Sequence, residues 1–162
     1  MTIRVLITGG TFDKEYDEIT GELTFRKTHV YEILKLGRSK LDIKITELMM
    51  VDSVGISISD KENILNHCNK SMEDKIVIIH GTDTMVATAE FLGKSINNKI
   101  IVLTGAMIPY AFGNSDNVFN IGSALAFVQT LPHGVYISMN GKYFSYDNFR
   151  KNKHTGEFEE IK

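Results

Sequence analysis

Hydroxyl and carboxylate side chains stand beside glycine in four short segments: Thr8-Gly9-Gly10-Thr11, Asp52-Ser53-Val54-Gly55, His80-Gly81-Thr82-Asp83-Thr84 and Thr104-Gly105-Ala106-Met107. Glycine lets the main chain approach a ligand closely and leaves amide groups free for an anion or a developing oxyanion. A threonine hydroxyl becomes a nucleophile when a base or a cation lowers the cost of removing its proton, and Asp83 and the lysines of the tail are available for that. The amide groups of Gly81 and Thr82 are the candidate oxyanion donors. Any one of these segments alone is most simply ordinary turn and N-cap chemistry. Four of them on one edge of a sheet are a different matter.

Competing chemistries lack their motifs. The turn Thr8-Gly9-Gly10-Thr11-Phe12-Asp13 is neither a G-x-G-x-x-G nor a P-loop, so a nucleotide site has no support. No G-x-S-x-G elbow is present, which argues against a Ser-His-Asp hydrolase. His80 ends an apolar run, where a histidine is usually a hydrogen-bonded structural group, and it is left out of the catalytic set. His29, His67, His133 and His154 are scattered, and no metal constellation is visible.

These residues need a scaffold, and the chain supplies it as short β-branched runs alternating with segments of helical period. The predicted strands are Ile3 to Ile7, Ile43 to Leu48, Ile76 to Ile79, Ile100 to Leu103 and Val135 to Ser138. The predicted helices are His29 to Leu36, a segment to about Asn69 with Ser59 and Glu62 as a capping box, one with Met85, Ala89 and Leu92 inward, and one carrying Val118, Ile121, Leu125 and Val128. Phe12 to Lys27 reads as a long polar loop, Lys142 to Phe149 as an edge strand or hairpin, and Arg150 to Lys162 as a charged tail, poorly ordered at its end. The pattern predicts an α/β fold: an open, mostly parallel sheet of about five strands with helices on both faces, a Rossmann-like or flavodoxin-like three-layer sandwich. Right-handed crossovers then place every strand-to-helix loop on one edge, where such sheets bind ligands.

With 162 residues, the chain is expected to form one domain. Eighteen Lys plus Arg against 20 Asp plus Glu give a net charge of −2, too little for a global field that gathers nucleic acid or anionic lipid. The single cysteine, Cys68, excludes an internal disulfide framework and is expected to be an inert, semi-buried thiol. No apolar stretch has the length of a signal peptide or a membrane span, so the expectation is a cytoplasmic protein with no nucleic-acid or membrane partner.

Taken in order, each after a strand, Thr8-Gly9-Gly10-Thr11-Phe12-Asp13, His80-Gly81-Thr82-Asp83-Thr84-Met85 and Thr104-Gly105-Ala106-Met107 resemble the N-terminal domain of the bacterial-type L-asparaginase family, and Met139-Asn140 agrees. The resemblance covers roughly residues 3 to 153. It implies hydrolysis of L-asparagine to aspartate and ammonia through a threonine nucleophile and an acyl-enzyme, with no metal or organic cofactor. By resemblance, Thr11 is the nucleophile, Thr82 the second essential threonine and Asp83 the acid that holds the substrate α-amino group. Ser53 binds the α-carboxylate, Gly10 and Gly81 line the substrate, and Lys151 lowers the cost of ionising Thr82, with Lys153 as its competitor. Tyr16 is the only tyrosine of the loop after the nucleophile and takes the place of the family's polarising tyrosine, although Phe25 lies where that tyrosine falls in long-looped members. Val54 stands where the family has a second polar substrate-binding residue. The expected organisation is a single domain of the N-terminal type over residues 1–162, without the family's C-terminal domain, assembled as a homo-oligomer, a dimer or tetramer. Two alternatives remain open: a non-catalytic amino-acid or amide binding module, and an amidase for another amide such as glutamine.

Overall fold

A strand covered on both faces has no position for a polar side chain, and Ile76–Ile79 and Ile100–Leu103 are apolar throughout. In the computed structural model, which describes residues 1–162, they lie at the centre of a sheet. The elements in chain order are β1 (Thr2–Gly9), β2 (Lys14–Asp17), β3 (Glu22–Phe25), α1 (Val30–Leu36), β4 (Asp42–Val51), α2 (Ile58–Lys70) and β5 (Lys75–Ile79). They continue with α3 (Met85–Gly93), β6 (Ile100–Thr104), α4 (Asn117–Thr130), β7 (Gly134–Met139), β8 (Lys142–Ser145), β9 (Arg150–Lys151) and β10 (Phe158–Glu159).

Six strands form one sheet in the order β4-β1-β5-β6-β7-β8, parallel except for the β7–β8 edge pair. Because side chains alternate along a strand, Ile76 and Ile78 pack with Ile64, Met85 and Leu92 on the α2–α3 side. Val77 and Ile79 pack with Val30, Ile33, Ile121 and Val128 on the α1–α4 side. The result is the expected three-layer sandwich. No helix is long and apolar enough to cross a membrane.

The strand order matters for the site. The chain starts at β1, steps out to β4, and returns to the other side of β1 with β5. The loops leaving β1 and β5 therefore part toward opposite faces, and the crevice between them is where open α/β sheets bind ligands. Thr8 and Thr104 end their strands buried and tied across the sheet, Thr8 Oγ1 donating to Ile79 O and Thr104 Oγ1 to Ser138 O, both at 2.7 Å. These two threonines extend the ladder at the point where the main chains diverge. They are scaffold.

Five local expectations need correction. The stretch from Phe12 to Lys27 is not a loop but a 3-10 turn at Thr11–Asp13 followed by the β2–β3 hairpin. Phe12 and Asp13 are fully buried and anchor it, and the Asp17 carboxylate accepts from the Ile19 and Thr20 amides to shape its turn. The capping box of α2 is Ser57 with Asp60, two residues before Ser59 and Glu62, because both reciprocal side-chain bonds form there. On α4, Ile121, Leu125 and Val128 face inward, while Val118 lies outside that stripe and is exposed. The tail is ordered: β9 and β10 pair, and Phe158 is buried. Cys68, expected to be semi-buried, is wholly buried, and that burial pushes its thiol up to about 12.

Candidate active site

Three loops meet backbone to backbone at the crevice. Gly10, at φ +77°, lies so close to Gly81 that a Cβ on it would stand 2.5 Å from the Gly81 Cα and N. A Cβ on Gly81 would in turn stand 2.4 Å from the Ser53 Cβ. Only glycine fits either position, and this contact brings the loops after β1, β4 and β5 together. Thr11 and Thr82 are each the residue next to the Gly10–Gly81 contact. Two further ties fix the arrangement: Gly10 N donates to Val51 O at 2.9 Å, and Thr84 Oγ1 donates to Ser53 O at 2.8 Å.

Thr82 is buried, and its hydroxyl is held from two sides. Lys151 Nζ donates to Thr82 Oγ1 at 2.8 Å, and Thr82 Oγ1 donates to Met107 Sδ at 3.6 Å. The same ammonium pairs with Asp83 Oδ1 at 2.9 Å. A cation on the oxygen eases ionisation of a hydroxyl, and the thioether holds its proton only weakly. Lys153, the competitor on sequence grounds, is exposed, and Lys151 makes these contacts. Asp83 is itself largely exposed, and its Oδ2 faces no cation of this cluster. Neither the Gly81 nor the Thr82 amide donates to another backbone group, which leaves both free for an oxyanion.

Thr11 is half-buried and opens the 3-10 turn at the mouth of the crevice. Ser53 is buried, and Val54 beside it projects into solvent at 73% exposure. Tyr16 is not drawn into this cluster: it sits on β2 opposite Leu23, 55% exposed. Phe25 pairs with Lys14 at the base of the same hairpin, the ammonium 6.0 Å from its ring centre.

The surroundings hold the loops in place. Lys14 forms an ion pair with Asp52, linking the hairpin to the loop that carries Ser53, and this bond holds the Asp52 carboxyl below its ordinary range. Asp13 accepts from the His29 amide at 2.7 Å, and His29 Nε2 meets Glu15 Oε1 at 2.9 Å. Burial raises the Asp13 carboxyl in spite of these bonds, and its Oδ2 has no partner. His80 is a structural group, as its position suggested. Nδ1 donates to Gly81 O at 2.7 Å, which leaves Nε2 to accept from Thr88 Oγ1 at 2.9 Å. Burial pushes His80 down to about 4, so it stays neutral near pH 7. On the far side, Asn120 donates to Gly105 O at 2.9 Å and accepts from Asn140 N at 3.0 Å, joining the loops after β6 and β7.

Lys14, Asp52, Thr84 and Met107 were missed as contributors to the site. Thr84 stood in view two residues past Thr82. The pairing of Lys14 with Asp52 spans two elements and has no signal along the chain.

The chain is similar in sequence and fold to known proteins. The family profile "Asparaginase, N-terminal" matches residues 2–160. The L-asparaginase of Thermococcus kodakarensis is 31% identical over 147 residues, 88% of this chain and 45% of that protein. The glutaminase-asparaginase of Acinetobacter glutaminasificans is 31% identical over 169 residues, 95% of this chain and 51% of that protein. The structure of the thermostable Thermococcus kodakarensis enzyme superposes with a TM-score of 0.87 at 30% identity, covering 99% of this chain and 51% of that one. The chain thus spans about half the length of these relatives. Within that half the family profile and the superposed fold extend along nearly the whole sequence, and the chain belongs to the bacterial and archaeal-type L-asparaginase family.

Proposed function

We propose that this chain is the catalytic N-terminal-type domain of an L-asparaginase-like amidohydrolase, hydrolysing L-asparagine to L-aspartate and ammonia. The observation that carries the reading is the Lys151 ammonium on the Thr82 hydroxyl and the Asp83 carboxylate, beside the Gly10–Gly81 contact. A binding module has no need of a cation set on a buried hydroxyl.

In this reading Ser53 takes the substrate α-carboxylate, and Asp83 takes the α-ammonium through the oxygen that Lys151 leaves free. Thr11 Oγ attacks the side-chain amide carbon, and the Gly81 and Thr82 amides stabilise the oxyanion. The C–N bond breaks, the leaving nitrogen takes the proton that the Thr11 hydroxyl gave up on attack and departs as ammonia, and an ester to Thr11 remains. Water activated near Thr82 and Lys151 attacks that ester and releases aspartate, restoring the hydroxyl. For Tyr16 to serve Thr11, the β2–β3 hairpin has to close over the crevice when substrate binds. No metal or organic group is needed for these steps. The protein acts in the cytoplasm as a homo-oligomer, dimer or tetramer, in which a neighbouring subunit covers the open crevice.

Ammonia release from L-asparagine, D-asparagine, L-glutamine and small amides, with Thr11→Ala as control, tests the reading. Turnover of L-asparagine that disappears in Thr11→Ala is the expected result. Preference for glutamine keeps the chemistry and changes the substrate, and a relative that bears both activities in its name makes that arm worth running. Saturable heat with asparagine in calorimetry, without ammonia from any substrate, assigns a binding module instead.

A further inference from the structure

Lys151 sits on a strand of two residues, and a ladder that short does not hold itself together in water. Its position has another source. Across the ladder Phe158 stands opposite Lys151 and Glu159 opposite Arg150. The Arg150–Glu159 ion pair, at 2.8 Å, is largely exposed and contributes little. Phe158, by contrast, is 6% exposed. Its ring stacks on Phe149 at 6.2 Å and 22°, and Phe149 stacks on Phe144 of β8 at 6.3 Å and 27°. All three rings belong to the core on the α2–α3 side of the sheet. The turn between β9 and β10 is closed by Asn152 N donating to Glu157 O at 2.7 Å and Gly156 N to Asn152 O at 2.8 Å.

We propose that the Phe144–Phe149–Phe158 stack is the positioning device for Lys151, with Phe158 as the residue that seats the β9–β10 hairpin and so sets the ammonium on Thr82 and Asp83. The sheet ends at β8, and the hairpin beyond it has one large apolar side chain in its ladder. A lysine on a flexible stem keeps two bonds of 2.8 and 2.9 Å only while its own Cα stays in place. Phe158 is a positioning residue: it has no polar side-chain atom to offer Thr82 or Asp83 and acts through the main chain it shares a ladder with. Its effect on turnover rests on the amidohydrolase reading above, whereas its effect on the placement of Lys151 does not.

The test separates the two. Surface lysines of the folded protein are labelled by brief reductive methylation, and the rate at Lys151 is read by peptide mass spectrometry against exposed Lys153 in the same turn. In wild type Lys151 labels more slowly than Lys153. In Phe158→Ala the Lys151 rate is expected to rise about fivefold toward that of Lys153, as a displaced ammonium loses its charge-assisted bonds. Phe158→Tyr is expected to restore the slow rate, and Arg150→Ala to leave it unchanged. If Phe158→Ala fails to fold by circular dichroism, Phe158→Leu, which keeps volume and loses the stacking, is expected to give an intermediate rate. With active protein, kcat is expected to fall about 100-fold in Phe158→Ala while KM stays within about twofold, the pattern of a misplaced catalytic group. An unchanged Lys151 rate in whichever folded variant is obtained overturns the proposal. Absence of ammonia release in wild type overturns the amidohydrolase reading and leaves the labelling result to decide the role of Phe158.

Discussion

Thr82 shows how much depends on single atoms. Its oxygen accepts from Lys151 and its proton has only a thioether to go to, so the hydroxyl is polarised by its contacts. Lys151→Met, which keeps the stem and removes the charge, is expected to lower kcat for ammonia release about 1000-fold, with the thermal transition little changed. Retention of near-full activity would remove Lys151 from the mechanism. His80 makes the complementary point, since a histidine at the mouth of a catalytic turn invites a catalytic assignment that its geometry refuses. Both its nitrogens are occupied, and burial moves it from 6.5 to about 4. A lowered folded value means that the unfolded chain binds the proton first, so stability is full above pH 6.5 and falls as pH drops toward 4. The span corresponds to about 3 kcal/mol. Denaturant midpoints measured across that window should fall in wild type and stay nearly level in His80→Gln.

Among the elements, the β2–β3 hairpin is the one whose freedom bears on function. It is held to the body by Lys14 on Asp52 and by His29 between Asp13 and Glu15, and its strands carry only partly buried or exposed side chains. An element with so little apolar burial opens at small cost. His29→Ala is expected to speed amide hydrogen exchange across residues 14–25 at least tenfold while β5 and β6 keep their protection. Equal protection in the variant would show that Phe12 and the Lys14–Asp52 pair suffice as the anchor. The glycine contacts set the opposite extreme. Gly81→Ala places a methyl 2.4 Å from Ser53 Cβ, 2.6 Å from its Oγ and 3.2 Å from its main-chain N, so the loops after β4 and β5 must separate. A loss of about 2 kcal/mol in stability together with loss of turnover is expected.

At the scale of the whole molecule, chemistry and stability occupy opposite edges of one sheet. The carboxyl ends of the strands carry the hydroxyls and the amides. Near the other ends, Glu73 takes a bidentate bond from Arg4 at 3.1 Å, one from Lys44 at 3.1 Å and one from Ser71 at 3.0 Å, while Lys99 donates to Glu73 O at 2.9 Å. Burial alone would raise Glu73, but its own amide and these partners outweigh it and hold the carboxyl down at about 2. Stability from this cluster is present above pH 4.5 and lost as pH falls toward 2, below the window set by His80. Glu73→Gln is expected to cost about 3 kcal/mol, read as a lower Tm at pH 7, with ammonia release at 25 °C unaltered. Equal Tm values would mean that Arg4 and Lys44 find water as readily as they find Glu73.

Periodicity and glycine placement were enough to determine the layers and the working edge, because strands buried on both faces have to be apolar and parallel strands have to send their loops one way. Thr11, Gly81, Thr82 and Asp83 stand out in the sequence because turn chemistry is local and their motifs are contiguous, whereas Ser53 and Lys151 enter through the family resemblance, and the roles of all six belong to the proposed function. The tertiary structure decided the rest, and in each case the reason is contact between segments far apart in sequence. A charged stretch such as Lys14 to Phe25 becomes a hairpin because Phe12 and the pair Lys14–Asp52 anchor it, which no window of that stretch reveals. The tail from Arg150 onward is ordered because one ring, Phe158, finds Phe149. That Lys151, not Lys153, reaches Thr82 follows from the same contact, since Lys151 lies in the ladder opposite Phe158 whereas Lys153 lies past its end in the exposed turn.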